Sequence, residues 1–390
     1  MLEEIKEILL MENFNYYNPT RIVNGKDKHL DIAKILKEDN IDSVLLVYGM
    51  QSIKKSGLYS ELMELLKKEE IHVVEHGGVR SNPVLSHAKE GVRLAKEAGV
   101  KAILAVGGGS VIDESKAIAA GSEMEQDLWD LFTGYKAKSA LPLYTILTIS
   151  ATGSEMNSGA VLTNEETLEK FSFSSPYTFP RVSVVNPAFT FSLPSNYMAY
   201  SAVDAITHAL EVYFTAVSMP LIKRRFIENV VVTVMETTER IIEQPENYDA
   251  RAEFSLAATW ALNGLTTIGV GKYSFPNHMI EHSLSALYDV PHGAGLAVVL
   301  PAWMKWYKEE NLDVFERFAD KVFGLNTADE GILALEEWFK KIGAPVRLEE
   351  FEVDRLSLSD LAENAYLTSV RWGLKDKYPE AVIEDILSLA

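Results

Sequence analysis

No cysteine occurs anywhere in this chain. Disulfides, thiol nucleophiles and thiolate metal sites are therefore excluded. Aldehyde oxidation through a cysteine thioester and cysteine-ligated zinc chemistry go with them. Positive charge is scarce: 37 Lys and Arg stand against 56 Asp and Glu, a net charge of -19. Such a surface repels nucleic acid and anionic membranes. No apolar run reaches the roughly eighteen residues that a membrane helix needs. The opening stretch, MLEEIKEILLMENFNYY, is acidic and amphipathic, unlike a secretory signal. Its first ten residues read as a short added helix, with Met11 as an alternative start, and the cytoplasm is the expected location. Three dehydrogenase and nucleotide-binding signatures are missing as well. None of the 16 tyrosines has a lysine four residues later, which excludes a short-chain dehydrogenase YxxxK pair, and neither GxGxxG nor a Walker lysine motif occurs.

What is present is ordinary globular composition, 47% hydrophobic and 24% charged over 390 residues, enough for two or three domains. The first half alternates short apolar runs with helical patterns. Strands are expected at Ser43–Tyr48, Ile71–His76, Ala102–Val106, Leu143–Ile149 and Arg181–Pro187, with a helix from about Val84 to Ala98. Continuous apolar strands alternating with helices predict a parallel, doubly wound α/β sheet. Gly159–Ser174 holds two β-like runs around a polar turn and predicts a hairpin. After Pro194 the strand signals nearly vanish and 3.6-residue periodicity predicts at least seven helices. The expected division is thus an α/β domain over 1–190 and an all-helical domain over 191–390.

The stretch AILAVGGGSVIDESKAIA reads as strand, glycine run and helix. Three successive glycines exceed what a turn requires, and they open the backbone amides at a helix N-terminus to a phosphate. The first strand ends in VYGMQSIKKSG. Dinucleotide folds hold the adenosine ribose with an acidic residue near such a strand end. Gly49 stands there instead, with Ser52, Lys54 and Lys55 nearby. A missing carboxylate and available cations favour NADP(H) over NAD(H).

Beyond residue 100 the chain has four histidines, and all lie in two segments. SAVDAITHALE carries Asp204 and His208; NHMIEHSLSALYDVPH carries His278, His282 and His292. Residues four apart share one helix face, so two helices present a carboxylate and imidazoles suited to a divalent metal such as Fe²⁺ or Zn²⁺. Spacing leaves open whether His278 or His282 is the ligand.

GGGSVID, LTISATGSEMN, DAITH and NHMIEHSLSALYDVPHG, in this order, make the chain similar to the iron-activated (iron-containing) alcohol dehydrogenases, specifically their butanol dehydrogenase and broad aldehyde reductase branch. The likeness covers about residue 12 to the end. It implies a dehydroquinate synthase-like architecture: an N-terminal α/β dinucleotide-binding domain with a parallel sheet and a β-hairpin, then an all-α metal-binding domain. It implies metal ligation by Asp204, His208, His278 and His292, with His282 unligated beside the nicotinamide as a proton relay. Cofactor contacts are implied at Gly49, Ser52, Asn82, Gly108, Gly109, Ser110, Asp113, Thr148, Ser154 and Lys170. NAD-preferring relatives carry Asp at the place of Gly49, in line with the charge argument. The implied reaction is reversible hydride transfer between NADP(H) and a small primary alcohol or aldehyde, in a homodimer paired through edge strands near the N-terminus. Rival readings are a polyol dehydrogenase of the glycerol type, a metal-dependent lyase on the same fold, and a non-catalytic nucleotide- or metal-binding protein. Near the ligand segments stand Lys272 and the apolar Phe275, Met279 and Trp260, which suit a small uncharged substrate better than a sugar phosphate.

Overall fold

A computed structural model describes residues 11–351 and 357–390; the helix expected over residues 1–10 lies outside them. Contacts divide the chain into two compact units, Asn18–Ser192 and Leu193–Ala390. Met11–Tyr17 groups with the second unit rather than with the α/β half; the Glu12 amide donates to the Gly269 carbonyl at 3.0 Å.

The first unit is built on six parallel strands: β1 (Arg21–Asn24), β2 (Ser43–Gly49), β3 (His72–Val79), β4 (Ala102–Gly107), β5 (Leu143–Leu147) and β8 (Val182–Val185), in the order β1-β8-β5-β4-β2-β3. Every residue of β4 and β5 is buried, as expected of central strands covered on both faces. The antiparallel hairpin β6 (Gly159–Asn164) and β7 (Glu169–Ser174) stands apart from this sheet. Its Thr163 amide donates to the Pro83 carbonyl at 2.9 Å, which fixes the hairpin against the segment after β3. Helices α1 (Ile32–Glu38), α2 (Ser52–Lys55), α3 (Leu58–Lys68), α4 (Leu85–Ala98), α5 (Gly109–Gly121) and α6 (Asp130–Thr133) complete the unit. The strand β1 was not expected. Four residues with polar ends carry too little pattern, and its place is set by register against Val182–Val185.

The second unit is helical: α7 (Ser195–Thr215), α8 (Leu221–Glu243), α9 (Tyr248–Leu262), α10 (Pro276–Tyr288), α11 (His292–Tyr307), α12 (Leu312–Phe318), α13 (Ala328–Lys341), α14 (Leu358–Arg371) and α15 (Glu380–Leu387). Helix α7 is buried along almost its whole length. A helix apolar all round belongs in a core, and the polar residues it carries there need partners. Pro276 and Pro291 fix the starts of α10 and α11, since proline costs a helix nothing at its first turn. Gly293 is obligatory: a Cβ there would lie 2.1 Å from the Tyr200 carbonyl oxygen of α7. That contact draws the start of α11 onto α7.

Candidate metal centre and dinucleotide site

Helix α7 presents Asp204, His208 and Glu211 at i, i+4 and i+7, one face. Helix α10 brings His278, and the first residue of α11 is His292. The three imidazoles converge on one oxygen. Asp204 Oδ1 lies 3.4 Å from His208 Nδ1, 3.6 Å from His278 Nε2 and 3.8 Å from His292 Nε2. The His208 and His278 rings stack at 4.4 Å, and His292 lies 5.2 Å from His278.

Two further carboxylates stand behind the imidazoles. Glu211 accepts from His278 Nδ1 and Glu281 from His292 Nδ1. Both acids are fully buried. An acceptor at Nδ1 fixes the proton there and leaves the Nε2 lone pair facing Asp204. Glu211 also accepts from the amides of Asn277 at 2.5 Å and His278 at 3.2 Å. It thereby caps the N-terminus of α10, an interaction of roughly 0.3–1 kcal/mol at exposed helix ends and up to ~2 in buried ones. Glu281 is held by the Ser285 hydroxyl at 2.5 Å. Gly295 makes room for it, because a Cβ at 295 would sit 2.8 Å from the Glu281 side chain.

Whether these residues suit a cation is decided by their inner atoms. Asp204 Oδ1, His208 Nδ1 and His278 Nε2 are buried and have no hydrogen-bond partner. Three orphaned polar atoms facing one another are costly unless a cation, a proton or a metal ion, joins them. Burial pushes His208 down to about 3, so it is a neutral donor. Burial would also lower His278, but the carboxylates of Glu211 and Asp204 overcome it and raise the imidazole to about 10, so that without a metal ion a proton holds the place on Nε2. Burial alone would raise Asp204; the surrounding imidazoles, His208 foremost, hold it far below the usual carboxylate range. The pocket thus has an excess of buried negative charge and draws in positive charge. A divalent ion among Asp204, His208, His278 and His292 fits it.

The geometry bears on the question that spacing left open. His278 faces Asp204, whereas His282, buried one turn on, packs its ring 5.9 Å from His292 and 5.6 Å from Trp372. Phe275 meets His278 edge-on at 5.8 Å, and Met279 is buried. Trp260 instead lies beside Phe226 at 6.1 Å, partly exposed, and Lys272 is exposed.

In the α/β unit, the residues expected to hold a cofactor gather at the C-terminal ends of neighbouring strands, where open parallel sheets bind ligands. Gly49 ends β2; Gly108, Gly109 and Ser110 follow β4; Thr148 follows β5. The glycine run is tightly packed. A Cβ at Gly107 would meet Val111 at 2.4 Å, at Gly108 Ile149 at 3.0 Å, and at Gly109 Thr152 at 2.4 Å. Three glycines are thus needed for the loop to close against α5 and the LTISATGSE loop, while the first-turn amides of α5 have no partner within the helix. Ser110 donates to the Ser81 carbonyl, and Thr148 N–H to the Gly107 carbonyl at 2.9 Å. Asp113 accepts from the Ser154 hydroxyl at 2.5 Å and the Val161 amide at 3.0 Å. Lys170 on the hairpin donates to Asn82 at 3.2 Å.

Sequence reading missed Lys116. It is fully buried and donates to Ser154 at 2.7 Å, Asn157 at 2.9 Å and the Gly159 carbonyl at 2.7 Å. Burial lowers it to about 8, against the pull of Asp113 and Glu155. It joins α5 to the Ser154 loop and to the hairpin. Only its i+3 spacing from Asp113 hinted at this. Around Ser52, which is exposed at the start of α2, one expected cation is already engaged. Lys54 Nζ lies 5.0 and 4.9 Å from the ring centres of Tyr48 and Tyr59, whose hydroxyls donate to Glu75 at 2.8 and 2.9 Å.

Two family descriptions match the chain: iron-containing alcohol dehydrogenase over residues 19–187, and the C-terminal part of the Fe-containing alcohol dehydrogenase family over residues 198–390. The chain is 40% identical to the probable NADH-dependent butanol dehydrogenase 1 of Bacillus subtilis (strain 168), covering 97% of this chain and 99% of that protein. It is 35% identical to the NADPH-dependent aldehyde reductase YqhD of Escherichia coli (strain K12), covering 90% and 92%. The crystal structure of NADH-dependent butanol dehydrogenase A from Thermotoga maritima superimposes with a TM-score of 0.94 at 45% identity, over 98% of this chain and 99% of that one. With both units matched and the likeness running from end to end, the chain belongs to the iron-containing alcohol dehydrogenase family and is an oxidoreductase.

Proposed function

We propose that the protein interconverts a small primary alcohol and its aldehyde, of the butanol type, with NADP(H) as hydride carrier and Fe²⁺ as the favoured metal, Zn²⁺ being the alternative. The observation that carries this reading is the set of orphaned, buried donor atoms around Asp204 Oδ1. Asp204, His208, His278 and His292 hold the metal; Glu211 and Glu281 orient two of the imidazoles. The chemistry supplied by the bound groups is Lewis acidity toward the alcohol or carbonyl oxygen and hydride transfer at the nicotinamide. Gly108, Gly109 and Ser110 offer amides and a hydroxyl to the pyrophosphate. Asp113, Ser154 and Thr148 position the nicotinamide end. Asn82 and Lys170 hold a further polar edge of the cofactor, and Gly49 and Ser52 border the adenosine ribose. His282 takes the proton of the alcohol on one ring nitrogen in oxidation and returns it in reduction. Phe275 and Met279 supply an apolar wall that favours an uncharged chain over a polyol or a sugar phosphate.

NADP(H) is favoured because position 49 offers no carboxylate against a 2′-phosphate. NAD(H) is the second reading, since Lys54 is already engaged by two tyrosine rings and a relative at 40% identity is named NADH-dependent. Pairing of two copies through β1, which is short and lies at the edge of the sheet, is the proposed assembly, and the cytoplasm the proposed location. Steady-state reduction of a panel of linear aldehydes by metal-replete protein tests the assignment. Turnover with butanal and a higher kcat/KM for NADPH than for NADH are expected. A Cβ at Gly49 meets only ordinary contacts, at 3.7 Å or more, so Gly49→Asp is accommodated; it should move the ratio toward NADH by about tenfold, one hydrogen-bonded charge. No turnover with any aldehyde defeats the enzyme assignment, whereas a native preference for NADH overturns only the cofactor choice.

A further inference from the structure

A second group of histidines and a carboxylate lies wholly within the α/β unit, and the proposed dehydrogenase chemistry has no use for it. His76 is on β3, His87 in the first turns of α4 and Glu114 on α5. Glu114 Oε1 is 3.0 Å from His76 Nε2 and 2.7 Å from His87 Nδ1. The two rings stack at 4.1 Å, 28° from parallel, so both nitrogens approach the same oxygen side by side. We propose that His76, His87 and Glu114 form a divalent-cation site of the Zn²⁺ class, independent of the centre around Asp204.

Several features of the cluster carry this. Glu114 is fully buried, and its second oxygen, Oε2, has no hydrogen-bond partner. One oxygen accepts from both imidazoles, and the other is left as a buried acceptor with its need unmet. The donor set, two imidazole nitrogens and one carboxylate oxygen, is that of three-ligand zinc sites, which keep a fourth position open. Zinc bonds of roughly 2.0–2.2 Å in a tetrahedron hold their donors about 3.4 Å apart. The contacts at 2.7 and 3.0 Å therefore need to open by about 0.7 and 0.4 Å, or Glu114 can turn Oε2 inward. Space is kept at His76 by Gly91, where a Cβ would lie 3.0 Å from His76 Nε2 and 2.4 Å from Ile118. His87 also hydrogen-bonds to the Gly77 backbone, the kind of support that orients a ligating imidazole. Its side chain is 28% exposed, which gives an ion a route in from solvent. An ion there ties β3, α4 and α5 together behind the glycine loop, and its role is structural.

Metal counting tests this. Protein stripped with a chelator, re-equilibrated with Zn²⁺ and freed of excess is expected to retain two equivalents per chain. Glu114→Gln and His87→Ala should each retain one and still reduce aldehyde once reloaded; His208→Ala should retain one and be inactive. His87 is partly exposed, so His87→Ala keeps the test decisive even if Glu114→Gln fails to fold. With Co²⁺ as the probe, His208→Ala should show the visible bands of a tetrahedral ion, and adding His87→Ala should remove them. A single equivalent in the native protein, or two that survive both substitutions in the α/β unit, overturns the proposal.

Discussion

Two clusters in this molecule are made of the same side chains, and their surroundings set them apart. Around Asp204, two of the three imidazoles have carboxylates of their own behind them, Glu211 and Glu281, so three buried acids share one pocket. Around Glu114, a single acid serves two imidazoles and one backbone contact supports His87. The first pocket concentrates negative charge, and its outer acids take the Nδ1 protons of His278 and His292 so that Nε2 faces Asp204; in the second, the one acid takes the protons of the very nitrogens that face it, His76 Nε2 and His87 Nδ1. Ligand identity is thus a poor guide to affinity by itself. The atoms that hold the ligands decide how strongly a cation is drawn in and how exactly the lone pairs are aimed.

The largest effect that would sharpen this comparison is expected at His282. His282→Ala should lower kcat by roughly 10²–10⁴, the usual contribution of a proton-transfer group, and leave the metal content of the helical unit unchanged. Loss of metal in that variant would move His282 among the ligands and break the assignment. A smaller effect is expected at Glu211. Glu211→Gln keeps the cap on α10 but weakens the hold on His278, and should reduce metal affinity by about 10–100-fold, read by competition with a chromogenic chelator. Unchanged affinity would mean that the supporting acid is dispensable and that the contrast between the clusters is empty.

Much of the α/β unit was legible because its strands are central and apolar throughout. Ala102–Gly107 and Leu143–Leu147 declare themselves by composition, and the polar turn between Asn164 and Glu169 announces the hairpin. Residues that depend on register were not legible. His76, His87 and Glu114 sit on three elements with no shared spacing, and only the packing of α4 and α5 on β3 joins them. Among the proposed ligands Asp204 and His208 were visible as a pair four apart, as were His278 and His282, but a helix face is broad enough to hold both of these histidines. The choice follows from how α10 is rotated against α7, which Glu211 fixes by capping Asn277 and His278. Glu211 and Glu281 stood in plain view, seven residues after Asp204 and three after His278. Acids on buried helices with histidines in step were the signal for them.

The central claim is that one cation joins Asp204, His208, His278 and His292. Diffraction from crystals of the metal-loaded protein, recorded on either side of the iron or zinc absorption edge, tests it most directly. An anomalous peak within about 2.0–2.2 Å of Asp204, His208, His278 and His292, with His282 outside that distance, is the predicted result. Metal-replete crystals with full scattering from the ion elsewhere, and none among these four side chains, would contradict it.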